Sequence, residues 1–185
     1  MMDTGDIIGK ILRDIRVELS SEFDRNFERQ AFFSQAWARH KSPARKEGHI
    51  LLDKGNLRRS IKARSDANAI TFSSDLPYAA IHNEGGSIKV TAKMKRYFWH
   101  KYYEAVGGFG RKKSGELRND SRNRRLSTMA EFYQHMALMK VGSEITIPKR
   151  QFLGTSPELE AEVTSIIESN LEEYFNSNLE KMIKK

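Results

Sequence analysis

The pairing in this chain that comes nearest to a reactive centre is His82 with Glu84, two residues apart and just before Gly85 and Gly86. An imidazole beside a carboxylate can hold a divalent metal or move a proton, but either role needs further ligands or partners, and none lies close in sequence. The other histidines, His40, His49, His100 and His135, never fall four residues from a second imidazole, the spacing that puts two zinc ligands on one helical face. His82 is therefore read as structural, an imidazole that hydrogen-bonds a neighbouring backbone group and fixes a turn. The stretch Gly107, Gly108, Phe109, Gly110, Arg111, Lys112, Lys113, Ser114 has the composition of a phosphate-binding loop. It fails the pattern, because no glycine immediately precedes Lys112 or Lys113 and no buried apolar strand leads into it. No serine sits in a Gly-x-Ser-x-Gly elbow. The carboxylates Glu158, Glu160, Glu162, Glu168, Glu172, Glu173 and Glu180 lie in one helical segment whose surroundings offer nothing apolar to shift them, so they read as a solvated face. The sequence thus assigns no catalytic residue, no metal site and no cofactor, and the expectation is a protein that is not an enzyme. A nuclease centred on His82 and Glu84 is the weakest of the function classes considered.

What remains is the organisation of charge. The formal net charge is +8, with 30% charged and 38% hydrophobic residues, more charged and less apolar than an average globular chain. Residues 110–125 hold seven bases, Arg111, Lys112, Lys113, Arg118, Arg122, Arg124 and Arg125, against two acids, a balance of +5. Residues 157–185 hold seven acids against three bases, a balance of −4. Such a split would let copies of the chain attract each other, or let the basic loop meet DNA phosphates or an acidic partner. There is no cysteine, which removes disulfides and thiolate chemistry and fits assembly in a reducing cytoplasm. No leader-like start and no run of about 18 apolar residues is present, so a soluble intracellular protein without membrane contact is expected.

The elements that would position these residues follow from periodicity. Ile7, Ile8, Ile11, Leu12, Ile15, Leu19, Phe23 and Phe27 predict an amphipathic helix over 6–27, capped by Asp3 or Thr4. Phe32, Phe33 and Trp37 lead into a basic, proline-containing loop over 39–46. Gly55 and Asn56 interrupt the apolar run 50–57, which reads as a turn or short helix. Residues 60–64 and 69–74 read as a hairpin, and 78–83 as a short element opened by Pro77. Alternating Ile88 and Val90, and Ile145 and Ile147, predict two strands, 87–92 and 144–147, that pair. Between them lies an inserted arm, 93–140, with helical flanks and a mobile, glycine-containing basic loop at 107–125. Ser156 and Pro157 start a terminal helix carrying Leu159, Val163, Ile166, Ile167, Leu171, Tyr174, Phe175, Leu179 and Ile183. The expected fold is α+β: a single domain over 1–185, with a small antiparallel β core packed against long N- and C-terminal helices and the helical arm inserted between two strands.

Three short motifs in a fixed order carry a resemblance. Trp37 is followed by Leu51, Leu52, Asp53, Lys54, Gly55, Asn56, Leu57, Arg58, Arg59, Ser60 and Ile61. After the hairpin come Tyr78, Ala79, Ala80, Ile81, His82, Asn83, Glu84, Gly85 and Gly86, and finally Pro148, Lys149, Arg150, Gln151, Phe152, Leu153 and Gly154. Over residues 37–86 and from 148 onward the chain resembles the phage virion morphogenesis family, which includes Mu G-like and P2 tail-completion proteins and is similar to neck proteins of other tailed phages. The resemblance implies a virion component at the head–tail junction, assembled in the host cytoplasm and working without catalysis. It further implies a ring, hexameric by likeness to neck and tail-terminator proteins, with other neck, connector or tail proteins as partners. Trp37, Leu52, Gly55, Leu57, Tyr78, His82, Gly85 and Gly86 read as its structural motif, and Arg150, Phe152 and Leu153 as candidate interface residues, a charge beside apolar anchors. The long insertion between Gly86 and Pro148 departs from compact relatives, and nothing in the resemblance transfers to it. A basic nucleic-acid-binding protein using the 110–125 loop, with Tyr102, Tyr103 and Phe109 available for stacking, is the alternative.

Overall fold

The computed structural model describes residues 4–43 and 48–183. The capping residue Asp3 and the basic residues Arg45 and Lys46 of the proline-containing loop lie outside them. The chain is α+β, with elements in the order α1 (Thr4–Arg29), β1 (Ala31–Phe32), β2 (Gln35–Ala36), α2 (Asn56–Arg59), β3 (Ile61–Ser65), β4 (Ile70–Ser74), α3 (Ala79–Glu84), β5 (Gly86–Lys89), α4 (Ala92–Gly107), α5 (Ser121–Leu138), β6 (Glu144–Ile147) and α6 (Pro157–Ile183). The expected small antiparallel β structure is present as three separate two-stranded ladders, β1 with β2, β3 with β4, and β5 with β6. The chain divides into two compact units, one built from Met1–Trp37, Ile50–Glu84 and Arg150–Lys185, the other from Ala38–His49 and Gly85–Lys149.

The first unit rests on α1. Ile15, Leu19, Phe23 and Phe27 recur every four residues and are buried, the last completely, as expected for one face of a 3.6-residue repeat. The helix stops after Arg29 because Gln30 takes a positive φ of 54°. The chain then turns through the β1–β2 hairpin, which the aromatic cluster at 32–37 did not announce, and Trp37 N–H donates to the Gln30 carbonyl at 2.9 Å. A fully buried Asn26 braces this turn, its Oδ1 accepting from Phe33 N–H at 3.0 Å. The hairpin β3–β4 pairs Ile61 with Ser74 through Ser65 with Ile70, and Asp66 Oδ1 closes it by accepting from the N–H groups of Asn68 and Ala69. Arg58 of α2 reaches both carboxylate oxygens of Asp24 and, at 2.7 Å, Glu28, which ties the short helix to α1.

Ser156 caps α6, its Oγ accepting from Leu159 N–H at 3.2 Å, and Pro157 occupies the first helical position, where its missing N–H costs nothing. Leu159, Val163, Ile166 and Ile167 pack with Ile15, Leu19 and Phe23. Further along, Lys10 Nζ donates to Asn170 Oδ1 at 2.5 Å and to Glu173 at 2.9 Å. The apolar stripe of α6 is thus used unevenly: Leu171, Phe175 and Leu179 are 36%, 59% and 56% exposed, whereas Leu159 is buried.

In the second unit, β5 pairs with β6 from Gly86 opposite Ile147 to Lys89 opposite Glu144. The expected pairing is present, although the first strand ends at Lys89 and Ala92 already belongs to α4. Helices α4 and α5 pack as an antiparallel pair capped by Thr91, which accepts from Met94 N–H, and by Asp120, which accepts from Asn123 N–H. The basic connection is shorter than its composition implies, since Ser121 starts α5 and residues 121–125 are its first turns.

One feature of the α1–α6 seam has a direct consequence for stability. The carboxylates of Glu18, Glu22 and Glu162 converge to within 4.8 Å. Arg25 bonds Glu22 and Glu18, and Arg29 bonds Glu22 at 2.5 Å. No guanidinium bonds Glu162 among the described residues, and burial, followed by the charges of Glu22 and Glu18, raises its pKa above the ordinary carboxylate value. A carboxyl with a raised folded-state pKa binds more protons folded than unfolded, so its ionisation costs stability as pH rises through that interval. Glu162→Gln is expected to raise the melting temperature at pH 7 by a few degrees, with the gain shrinking to nothing below about pH 4, where both states are protonated; thermal unfolding at both pH values checks it.

Candidate functional site

Most of the residues that carry the motif order lie in the first unit, where several of them pack into one core, while Gly85, Gly86, Pro148 and Lys149 lie in the second. Gly55 adopts φ 69°, a left-handed conformation that suits glycine, and so starts α2 at Asn56 and turns Leu57 inward. Leu57 packs with Phe27, Trp37, Ile50, Ala79 and Phe152, and Leu52 lies against this cluster half-buried. Phe27 is the hub, with Trp37 edge-on at 5.5 Å and Phe152 tilted at the same centroid distance. Trp37 has a polar end to satisfy and does so locally, its Nε1–H donating to the Gln151 carbonyl at 2.6 Å.

Helix α3 holds the returning segment in place. The His82 carbonyl accepts from Arg150 N–H at 2.8 Å. Asn83 Oδ1 accepts two backbone N–H groups together, Phe152 at 2.9 Å and Leu153 at 3.0 Å. Asn83 was not singled out from the sequence. Its only sequence signal is a polar side chain at the end of a short helix, a place where Asn often bonds backbone. Tyr78, just before α3, meets the His82 ring edge-on at 6.0 Å, while Glu84 is exposed. His82 and Glu84 belong to no cluster of metal-ligating side chains among the described residues; Glu18, Glu22 and Glu162 do, and two arginines already serve that group.

In the third motif Phe152 is 1% exposed and Arg150 6%, and Leu153 is half-buried against the same core. Desolvation lowers the Arg150 pKa from its ordinary value, although a guanidinium stays charged over any working pH. In the second unit Gly85 and Gly86 have φ 77° and 145°. A Cβ on Gly85 would stand 2.9 Å from the Lys149 backbone nitrogen, so glycine is required there both by conformation and by space.

The seven basic residues between 110 and 125 are all exposed. Asn123 organises their loop: its Nδ2 donates to the carbonyls of Gly110 at 2.8 Å and Arg118 at 2.7 Å, and its Oδ1 accepts from Gly110 N–H at 2.8 Å. Lys112 pairs with Glu116 at 3.2 Å. Arg111, Arg118 and Arg124 bond neutral oxygens, and Lys113, Arg122 and Arg125 have no carboxylate partner among the described residues.

The profile of the phage virion morphogenesis family matches residues 1–172 of this 185-residue chain. The chain belongs to the phage virion morphogenesis family. Neither curated proteins nor solved structures give a match. Family membership makes this a phage virion-assembly protein, and the matched span runs through the arm as well as the frame around it. No helix among the described residues is long and apolar enough to cross a membrane.

The clamp is testable by its chemistry. Asn83→Ala leaves two backbone N–H groups without their acceptor and should cost about 2–3 kcal/mol, whereas Asn83→Asp keeps the oxygen and should cost less than about 1 kcal/mol. Urea unfolding of both variants measures the difference.

Proposed function

We propose that this protein is a structural component of the head–tail junction of a tailed phage or prophage, completing the tail or connecting it to the head, and that it works by self-association into a ring without catalysis. The observation that carries the reading is that core and clamp take up several residues of the three motifs that carry the resemblance. Trp37, Leu57 and Phe152 are buried, and Asn83 holds backbone. A frame of this kind presents surfaces outside itself, which is what a building block requires. Closed rings form when one patch on a subunit meets a different patch on the next and the rotation closes. Hexameric stoichiometry follows the likeness to neck and tail-terminator proteins, and partners are then the adjoining neck, connector or tail proteins. Sedimentation velocity and electron microscopy of the purified protein should show a ring, and antibody labelling should mark the neck of virions. A protein that stays monomeric at all concentrations and is missing from virions sinks the proposal.

A second reading, contact with packaged DNA, is favoured by the six exposed bases of residues 110–125 that lack a carboxylate partner among the described residues. Each phosphate contact releases counterions and contributes roughly −0.9 to the slope of log affinity against log salt. Replacing Lys113, Arg122 and Arg125 by alanine should flatten that slope by about 2–3 for duplex DNA. An unchanged slope removes the reading.

A further inference from the structure

The two units carry charge of opposite sign. From the sequence, Ala38–His49 and Gly85–Lys149 together hold 18 Lys and Arg against six Asp and Glu, a balance of +12, and the rest of the chain holds 14 against 18, a balance of −4. On each unit one long helix leaves an apolar face uncovered. On α6 it is Leu171, Phe175 and Leu179, spaced four residues apart so that they form one stripe. Glu168 and Glu172 flank that stripe, are exposed, and have no cationic partner among the described residues. On α4 the face is aromatic. Trp99 stacks on Tyr103 at 5.9 Å, Val106 follows one turn on, and Tyr103 is 64% exposed. Lys95 and Arg96 lie beside it with no carboxylate partner among the described residues.

The two stripes complement each other in charge when the helices run parallel, because Lys95 and Arg96 lie at the N-terminal end of the α4 stripe as Glu168 and Glu172 do at that of the α6 stripe. In that same alignment two α6 stripes would set Glu168 and Glu172 against their own copies, and two α4 stripes would oppose Lys95 and Arg96, so like charges disfavour parallel self-pairing. We propose that the α4 stripe of one copy docks on the α6 stripe of the next, Trp99 and Tyr103 packing on Leu171 and Phe175 while Lys95 and Arg96 neutralise Glu168 and Glu172. This rests on the self-association reading above and specifies its contact. The contact is heterologous, so it leaves a free α4 stripe at one end of any open chain and a free α6 stripe at the other, and only closure satisfies both. Aromatic anchors ringed by charge are the composition expected at the centre of such an interface.

The test uses full-length protein. Phe175→Glu spoils the α6 stripe and leaves α4 intact, and Tyr103→Glu does the reverse; both residues are exposed, and circular dichroism confirms that each variant keeps its fold. In sedimentation velocity each variant alone should associate at least about tenfold more weakly than the natural sequence, the loss expected for one anchor residue. An equimolar mixture should form a heterodimer and nothing larger, because one intact contact remains and cannot be repeated. Pairing of α6 with α6, or of α4 with α4 within or between chains, predicts no such rescue and overturns the proposal. If both variants assemble normally, the ring reading stands on other surfaces and this contact is wrong. If the natural sequence never associates, both readings fall.

Discussion

Everything in the first unit depends on where the segment after Lys149 is held. Phe152 enters the centre of a cluster made by Phe27, Trp37, Ile50, Leu57 and Ala79, which come from four separate stretches of chain. Full burial of a phenylalanine is worth about 1.5–3 kcal/mol, but area alone would accept several registers of an extended segment. Asn83 selects one of them, because a single oxygen that accepts from both Phe152 and Leu153 N–H groups fixes the backbone to within a fraction of a residue. The Trp37 indole adds a third point at the Gln151 carbonyl. Three directed bonds on consecutive residues convert a non-specific hydrophobic contact into a registered one, and α6 then starts from a fixed position a few residues later.

The same constraint bears on why residue types of this kind are hard to assign from sequence. A glycine with positive φ, a Tyr–His pair four residues apart, an arginine beside aromatic residues and a glycine pair are the raw materials of active sites and interfaces as well as of tight folding. What separates the cases is burial and partnering, neither of which a linear sequence displays. Arg150 shows this plainly. By composition, Arg next to Phe and Leu reads as an interface anchor, yet in the fold its backbone N–H is the link to α3 and its residue is buried.

Legibility followed periodicity. The long helices, the β3–β4 hairpin and the pairing of β5 with β6 could be read from apolar spacing, because each buries a face whose repeat is written directly in residue types. The β1–β2 hairpin could not, since Phe32, Phe33 and Trp37 satisfy no two-residue alternation and the turn depends on positive φ at Gln30 and Phe33, residues that rarely adopt it. The start of α5 was also hidden. Arg122, Arg124 and Arg125 are poor evidence for a helix by charge, and what orders them is Asp120 as cap with Asn123 bonding back to Gly110 and Arg118. Asn83, Asn26 and Asn123 share this history. Amide side chains that stitch backbone are invisible to hydrophobic patterns, because their role is set by the one or two groups they reach.

The stripe of α6 was legible as apolar and misleading as core. Its nine apolar positions form one continuous pattern in sequence, on a helix about 40 Å long. Leu159, Val163, Ile166 and Ile167 pack against α1, and Lys10 bonds Asn170 and Glu173 further along. Beyond that point Leu171, Phe175 and Leu179 continue the pattern into solvent. Isolated exposed apolar residues need no explanation, but here three stand in register on one face, bordered by carboxylates without a cationic partner among the described residues. Under the proposed contact, this apolar pattern outlasts its own core because its partner is another copy.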